Sequence, residues 1–152
     1  MAVTRRVLER APEAAFSWRP HPKSLTLGGL CTHIANIPHW GVAILAYDGY
    51  DMVRDAGSSP VEKTTVADVL ATFDSFVGDA RTRLAASTDG ELLAAWSLKR
   101  NGDVLMSMPR MASFKSFALS HLIHHRGQLT VYLRLQNVPL PPIYGPSADE
   151  LV

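Results

Sequence analysis

The chain has 152 residues, a formal net charge of +1, 47% hydrophobic and 19% charged residues. That length implies one domain able to bury a core of its own, and the composition excludes a disordered chain. There is no basic stripe to grip nucleic acid, no apolar run long enough to span a membrane, no apolar leader in "MAVTRRVLERAPEAAF" and, with Cys31 alone, no intramolecular disulfide framework; a soluble, cytoplasmic protein is expected.

Residues 2–10 predict a short first helix closed by Pro12, and "SWRPHPKSLT" a connector in which Pro20 and Pro22 forbid regular structure. Ser24 or Thr26 can cap a second helix over about 27–47, where Leu27, Leu30, Ile34, Ile37 and Ile44 recur at helical spacing. Pro38 falls inside it and removes a backbone donor. "DGYDMVRDAGSSP" reads as a long polar loop. A third helix follows, opened by Thr65 and Asp68 as a capping box, with Val66, Val69, Leu70, Phe73, Val77, Ala80 and Leu84 as its buried stripe.

Asn101-Gly102 stands between alternating segments and predicts a two-residue type I′ turn, hence a short β-hairpin. The fourth helix is expected over about 111–136, and the tail "VPLPPIYGPSADELV", with four prolines, extended over the other elements. Together these give an all-α four-helix bundle, a single domain over residues 1–152, with a long loop that permits a crossover, a small hairpin before the last helix and a shortened first helix. The short first helix supplies only about half a bundle partner. Either the true start lies upstream, or another subunit covers the gap.

The last helix carries "SHLIHHRGQ", three histidines where an apolar helix would ordinarily place leucines. On a helical wheel His125 lies about 25° from the mean buried direction, His121 about 65° and His124 about 125°. His121 and His125, four residues apart, therefore point inward together and can reach one metal ion, as the outer residues of H-E-x-x-H do. The Glu of that motif is missing, so no metalloprotease is implied. His33 shares the buried side of the second helix and is the better third ligand; His39 drops toward another face. Three neutral imidazoles leave at least one coordination position open, the pattern of a catalytic site. The alternative is a set of hydrogen-bonded core histidines, although burying imidazoles without partners costs about 1–3 kcal/mol each. On the residues alone both readings stand.

Around these residues, Gln128 is placed to hold a ligand imidazole in one tautomer. Trp40 and Tyr144 are candidates for the pocket wall or for plain core. Gly127 suggests close approach of another segment, and Arg126 a surface or interhelix ion pair rather than a substrate clamp. Cys31 points about 160° away from His33 and is not counted as a ligand.

"WRPHPKSLTLGGLCTHIANIPHW" and, far downstream, "LSHLIHHRGQLTVYLRLQNVPLPPIYGPSADE" resemble the DinB family, the DinB/YfiT-like metal-binding four-helix bundles. The resemblance covers about a third of the chain, and the hairpin with Trp96 and "MPR" fits the same layout. It implies a divalent metal held by one histidine of the second helix and an i, i+4 pair of the last, here His33, His121 and His125. It also implies a homodimer, and relatives that include thiol-dependent transferases and isomerases. Two departures stand out: family members usually begin earlier, so part of the first helix is missing here, and Cys31 occupies a place where Ala is commoner.

A three-histidine metal can activate water or a thiol. No Asp or Glu lies near the histidines on either ligand helix to act as proton carrier, Asp48 standing only at the end of the second. A metal-bound low-molecular-weight thiol needs no such base, so the first expectation is a metal-dependent thiol S-transferase acting on an electrophile. The alternatives are a non-catalytic, stress-related metal-binding bundle and a metal-dependent hydrolase. Zinc or nickel suits the ligand set best, with iron, cobalt or manganese as further candidates.

Overall fold

The computed structural model describes residues 1–57 and 60–151, leaving Ser58 and Ser59 of the expected polar loop, and Val152, outside the described residues. The chain is mostly helical, as expected, with one small sheet of three strands where a two-stranded hairpin was expected. It divides into two compact units, one of Met1–Asn36, Pro60–Ser75 and Ile123–Val152, the other of Ile37–Ser59 and Phe76–Leu122.

In the first unit, α1 (Ala2–Leu8) is indeed short, and a single 3₁₀ turn follows at Glu13–Ala15. Helix α2 (Leu27–Ala46) starts where Thr26 Oγ1 accepts the Gly29 N–H at 2.9 Å, so Thr26 rather than Ser24 is the cap. At the start of α3 (Val66–Ala86), Thr65 Oγ1 accepts the Asp68 N–H at 3.1 Å and donates to the Asp68 carboxylate at 2.8 Å. Val7, Leu8, Leu27, Leu30, Ile34, Val69, Phe73, Leu129 and Leu133 are buried. The stripe foreseen for α3 ends early: Val69, Phe73 and Ala80 are buried, but Leu84 is exposed.

The tail after the last helix is tied down by charge. Asp149 accepts from the Arg134 guanidinium at 2.6 Å and from the Leu140 N–H at 2.9 Å, and these bonds hold its carboxyl down at about 2. Glu150 pairs with Arg10. The helix stops at Asn137, whose φ of 55° lies in the left-handed region that Asn tolerates, with the Val138 N–H closing onto Leu133 O.

In the second unit, α2 continues through Pro38 and ends before β1 (Gly49–Asp51). Strand β2 (Ala95–Arg100) pairs antiparallel with β3 (Asp103–Pro109), and Asn101 and Gly102 between them both have positive φ, as a type I′ turn requires. The lone hairpin foreseen before the last helix is instead a three-stranded mixed sheet, because β1 joins β2 in parallel from within the stretch read as loop. Gly49 permits that pairing: a Cβ there would sit 2.5 Å from Ser97 O.

Two polar hubs lock this unit. The buried Asp51 carboxylate accepts the N–H groups of Val53, Arg54, Asn101 and Gly102, joining the segment after β1 to the β2–β3 turn at one end of the sheet. Those bonds, Val53 and Gly102 foremost, bring its carboxyl down to about 2. The buried Arg110 guanidinium donates to Ile44 O and Tyr47 O at 2.6 Å each, to Glu91 O at 3.1 Å and to Asp48 Oδ1 at 2.6 Å. It thereby satisfies carbonyls at the end of α2 that the helix itself leaves open. Ile44, Trp96, Phe114 and Ala118 form the apolar cluster beside it.

A further short helix, α4 (Asp89–Leu93), carries a full Thr88–Glu91 capping box in a stretch that lacks apolar periodicity. The expected fourth helix is α5 (Arg110–Phe114), a wider π turn at Lys115–Ser120 and α6 (His121–Leu135) in succession. Such a π turn admits one residue more than α-helical winding and is common next to functional side chains.

Candidate metal centre

The three histidines chosen from the wheel come together. One ring nitrogen from each of His33 on α2 and His121 and His125 on α6 lies within 4.8 Å of the others, and all three residues are half-buried. The rings of His33 and His125 meet edge to face, centroids 4.4 Å apart at 83°. No Asp, Glu or Cys joins the set among the described residues.

Helix geometry accounts for the pair on α6: residues four apart stand one above the other on one face. Gln128, three residues beyond His125, places Oε1 2.7 Å from His125 Nδ1. A carbonyl oxygen can only accept, so this bond fixes the proton on Nδ1 and leaves the lone pair on Nε2. The Trp40 ring stands edge to face with His121, centroids 5.9 Å apart at 88°. Its other neighbour is Tyr50, stacked at 6.5 Å and 26°, and Trp40 is still 46% exposed.

The donor set fits a divalent transition metal. Nitrogens each about 2.1 Å from one tetrahedral ion stand roughly 3.4 Å apart, so a set spread over as much as 4.8 Å closes by up to about 1.4 Å on binding. Imidazole nitrogens suit zinc, nickel, cobalt, copper and iron, whereas an all-nitrogen set without carboxylates does not suit magnesium or calcium.

The other residues singled out in the sequence are placed differently. His124 is exposed, its ring 4.9 Å from that of His125, and lies outside the set; His39 is exposed and packs on Phe76 at 4.8 Å. Tyr144 is 79% exposed, and the contacts it makes are with Arg126: its hydroxyl accepts from Nη2 at 2.5 Å and its ring lies 4.9 Å from Cζ. Arg126 is buried rather than on the surface and makes no ion pair among the described residues, donating also to the Thr4 hydroxyl at 3.3 Å. The phenol and the hydroxyl take the place of a carboxylate, and both lie too far along the chain to be foreseen as partners. Gly127 does not serve close approach, since a Cβ there would meet nothing within 4 Å. Cys31 is fully buried, and burial first, then the charge of Glu62, pushes its thiol up to about 12. It stays a thiol and packs as an apolar side chain.

No helix among the described residues is long and apolar enough to cross a membrane. Two solved structures share the fold. A DinB-like protein from Bacillus subtilis aligns with a TM-score of 0.71 and 19% identity over 94% of this chain and 90% of that one. A DinB-like protein from Bacillus cereus ATCC 10987 aligns with a TM-score of 0.69 and 24% identity over 94% and 89%. In sequence, the chain is 40% identical over 50 residues to the protein YrdA of Bacillus subtilis (strain 168), a match that spans 33% of this chain and 24% of that relative. The family model of the DinB superfamily matches residues 1–129. A match over that much of the chain decides the family: this protein belongs to the DinB superfamily.

Proposed function

We propose that His33, His121 and His125 bind one divalent cation, zinc or nickel, and that the protein uses it to activate a low-molecular-weight thiol toward an electrophilic second substrate. The observation that carries the metal half is the gathering of three imidazole nitrogens within 4.8 Å, from two helices and without a carboxylate. A divalent ion bound there supplies Lewis acidity, lowering the pKa of a coordinated thiol or water. Gln128 holds the tautomer of His125 that leaves Nε2 as the donor, and Trp40 packs edge to face on His121 and limits its ring rotation. The thiol half rests on what the donor set lacks: with no carboxylate in the cluster to carry a proton, a substrate that ionises on coordination is favoured over a hydrolytic water. Within this reading the scaffold is a single-domain four-helix bundle, a cytoplasmic homodimer with neither nucleic acid nor membrane as partner.

The second reading is a non-catalytic metal-binding member of the same superfamily, favoured by the absence of a general base from the histidine set. Two measurements decide. Elemental analysis of protein purified without a histidine tag should return one transition metal per chain, lost in His121→Ala; a metal-free preparation that also takes up none on titration ends the metal reading. Cobalt-loaded protein titrated with small thiols should develop a thiolate charge-transfer band. An unchanged spectrum with every thiol removes the transferase and leaves the binding protein.

A further inference from the structure

Trp40 stands seven residues after His33 on α2, two turns along the same helical face. Trp40 is 46% exposed, whereas Leu30, Ile34, Ile37 and Ile44 of the same helix are buried. Trp40 is also fixed in place. Its edge-to-face neighbour is the metal-ligand candidate His121, and Tyr50 of β1 lies stacked beside it at 26°. A rigid, uncharged, half-exposed indole held against a ligand imidazole is a ready surface for another ring, since aromatic faces prefer offset or edge contacts with one another. Small-molecule sites commonly join such a wall to a few polar groups that fix orientation.

We propose that Trp40, backed by Tyr50, is a stacking shelf for the aryl group of a small molecule whose donor atom binds the ion held by His33, His121 and His125. The shelf rests on the cation-site reading above but not on the thiol, and it names the substrate class that reading left open: planar aromatic compounds carrying a metal-binding heteroatom. Aliphatic compounds of equal size would bind through the donor atom alone and lose the ring contact.

The test uses cobalt-loaded full-length protein and two hydroxamates that differ only in the ring, benzohydroxamate and cyclohexanecarbohydroxamate, with acetohydroxamate as the ringless reference. Affinity is read from the cobalt visible bands. The aryl compound should bind about two- to tenfold tighter than the cyclohexyl one. Trp40→Leu should abolish that preference, read as the ratio of aryl to cyclohexyl affinity so that any change at the ion itself cancels, and Trp40→Phe should retain most of it. Equal affinity of the two ring compounds in the wild type, or a preference that survives in Trp40→Leu, overturns the shelf and leaves the cation site standing. Failure of the protein to bind cobalt at all overturns both.

Discussion

The hubs at Asp51 and Arg110 and the cluster of three histidines all gather polar groups, but they do so in opposite ways. At Asp51 four backbone donors converge on one acceptor, and at Arg110 one cation reaches three carbonyls and a carboxylate. Donor meets acceptor, and the chemistry closes within the chain. At His33, His121 and His125 three groups of the same kind are brought within 4.8 Å. Like groups gathered in one place are completed by a guest of opposite character, and for imidazole nitrogens that guest is a cation. A complementary cluster builds the fold; a repetitive one offers a site.

This contrast breaks if the two kinds of cluster respond alike to mutation. The largest effect is expected at Arg110→Ala. It strips buried carbonyls of a charged donor and should cost about 3–5 kcal/mol, read from denaturant melts. Addition of metal should stabilise that variant as much as it does the wild type. His121→Ala should do the reverse. The metal-free melt should stay near that of the wild type, while the gain of about 2.7 kcal/mol expected at metal 100 times Kd should vanish. If His121→Ala unfolds the chain as Arg110→Ala does, the histidines are structural and the contrast is lost.

Gln128→Leu sharpens the comparison, because it removes only the acceptor that fixes the His125 tautomer. Metal affinity by competition with a chelator should fall about tenfold, the lower end of what an outer partner of a ligand contributes. A full loss would make Gln128 a ligand itself.

The smallest effect is expected from acid. The Asp51 carboxyl is held at about 2, below its ordinary value near 3.9, so its contribution is complete above that value and is lost as pH falls from about 4 through 2. Asp51→Asn should be less stable at neutral pH and should show a flatter decline over that window, measured by thermal melts. A wild-type and a variant curve that run parallel between pH 4 and 2 would show that Asp51 ionisation does not support the sheet.

Much of the site was legible because its information is local. An i, i+4 pair on an apolar helix needs only the helical period to be seen, and His33 needs only the stripe of Leu30, Ile34 and Ile37. Asn101-Gly102 announced its turn for the same reason: both positions demand positive φ, and those residues tolerate it. Gln128 was readable as a partner because three residues on a helix bring side chains together. Trp40 was legible as a candidate, but its edge-to-face contact with His121 was not.

What the sequence could not display is pairing between distant segments. Strand β1 is three residues long, too short for an alternating pattern, and exists because Gly49 lets its backbone approach Ser97 on β2. Arg126 looked like a surface charge because Thr4 and Tyr144, its partners, lie 122 and 18 residues away. The π turn before His121 adds no change of composition, since wider winding is set by what the turn packs against. The sequence by itself determined the long helices α2 and α3, the hairpin turn and which histidines face inward, all properties of spacing along one segment. Only the tertiary structure decided that the sheet has a third strand, that Arg126 is buried and that the three imidazoles lie within 4.8 Å, because each depends on where separate segments meet.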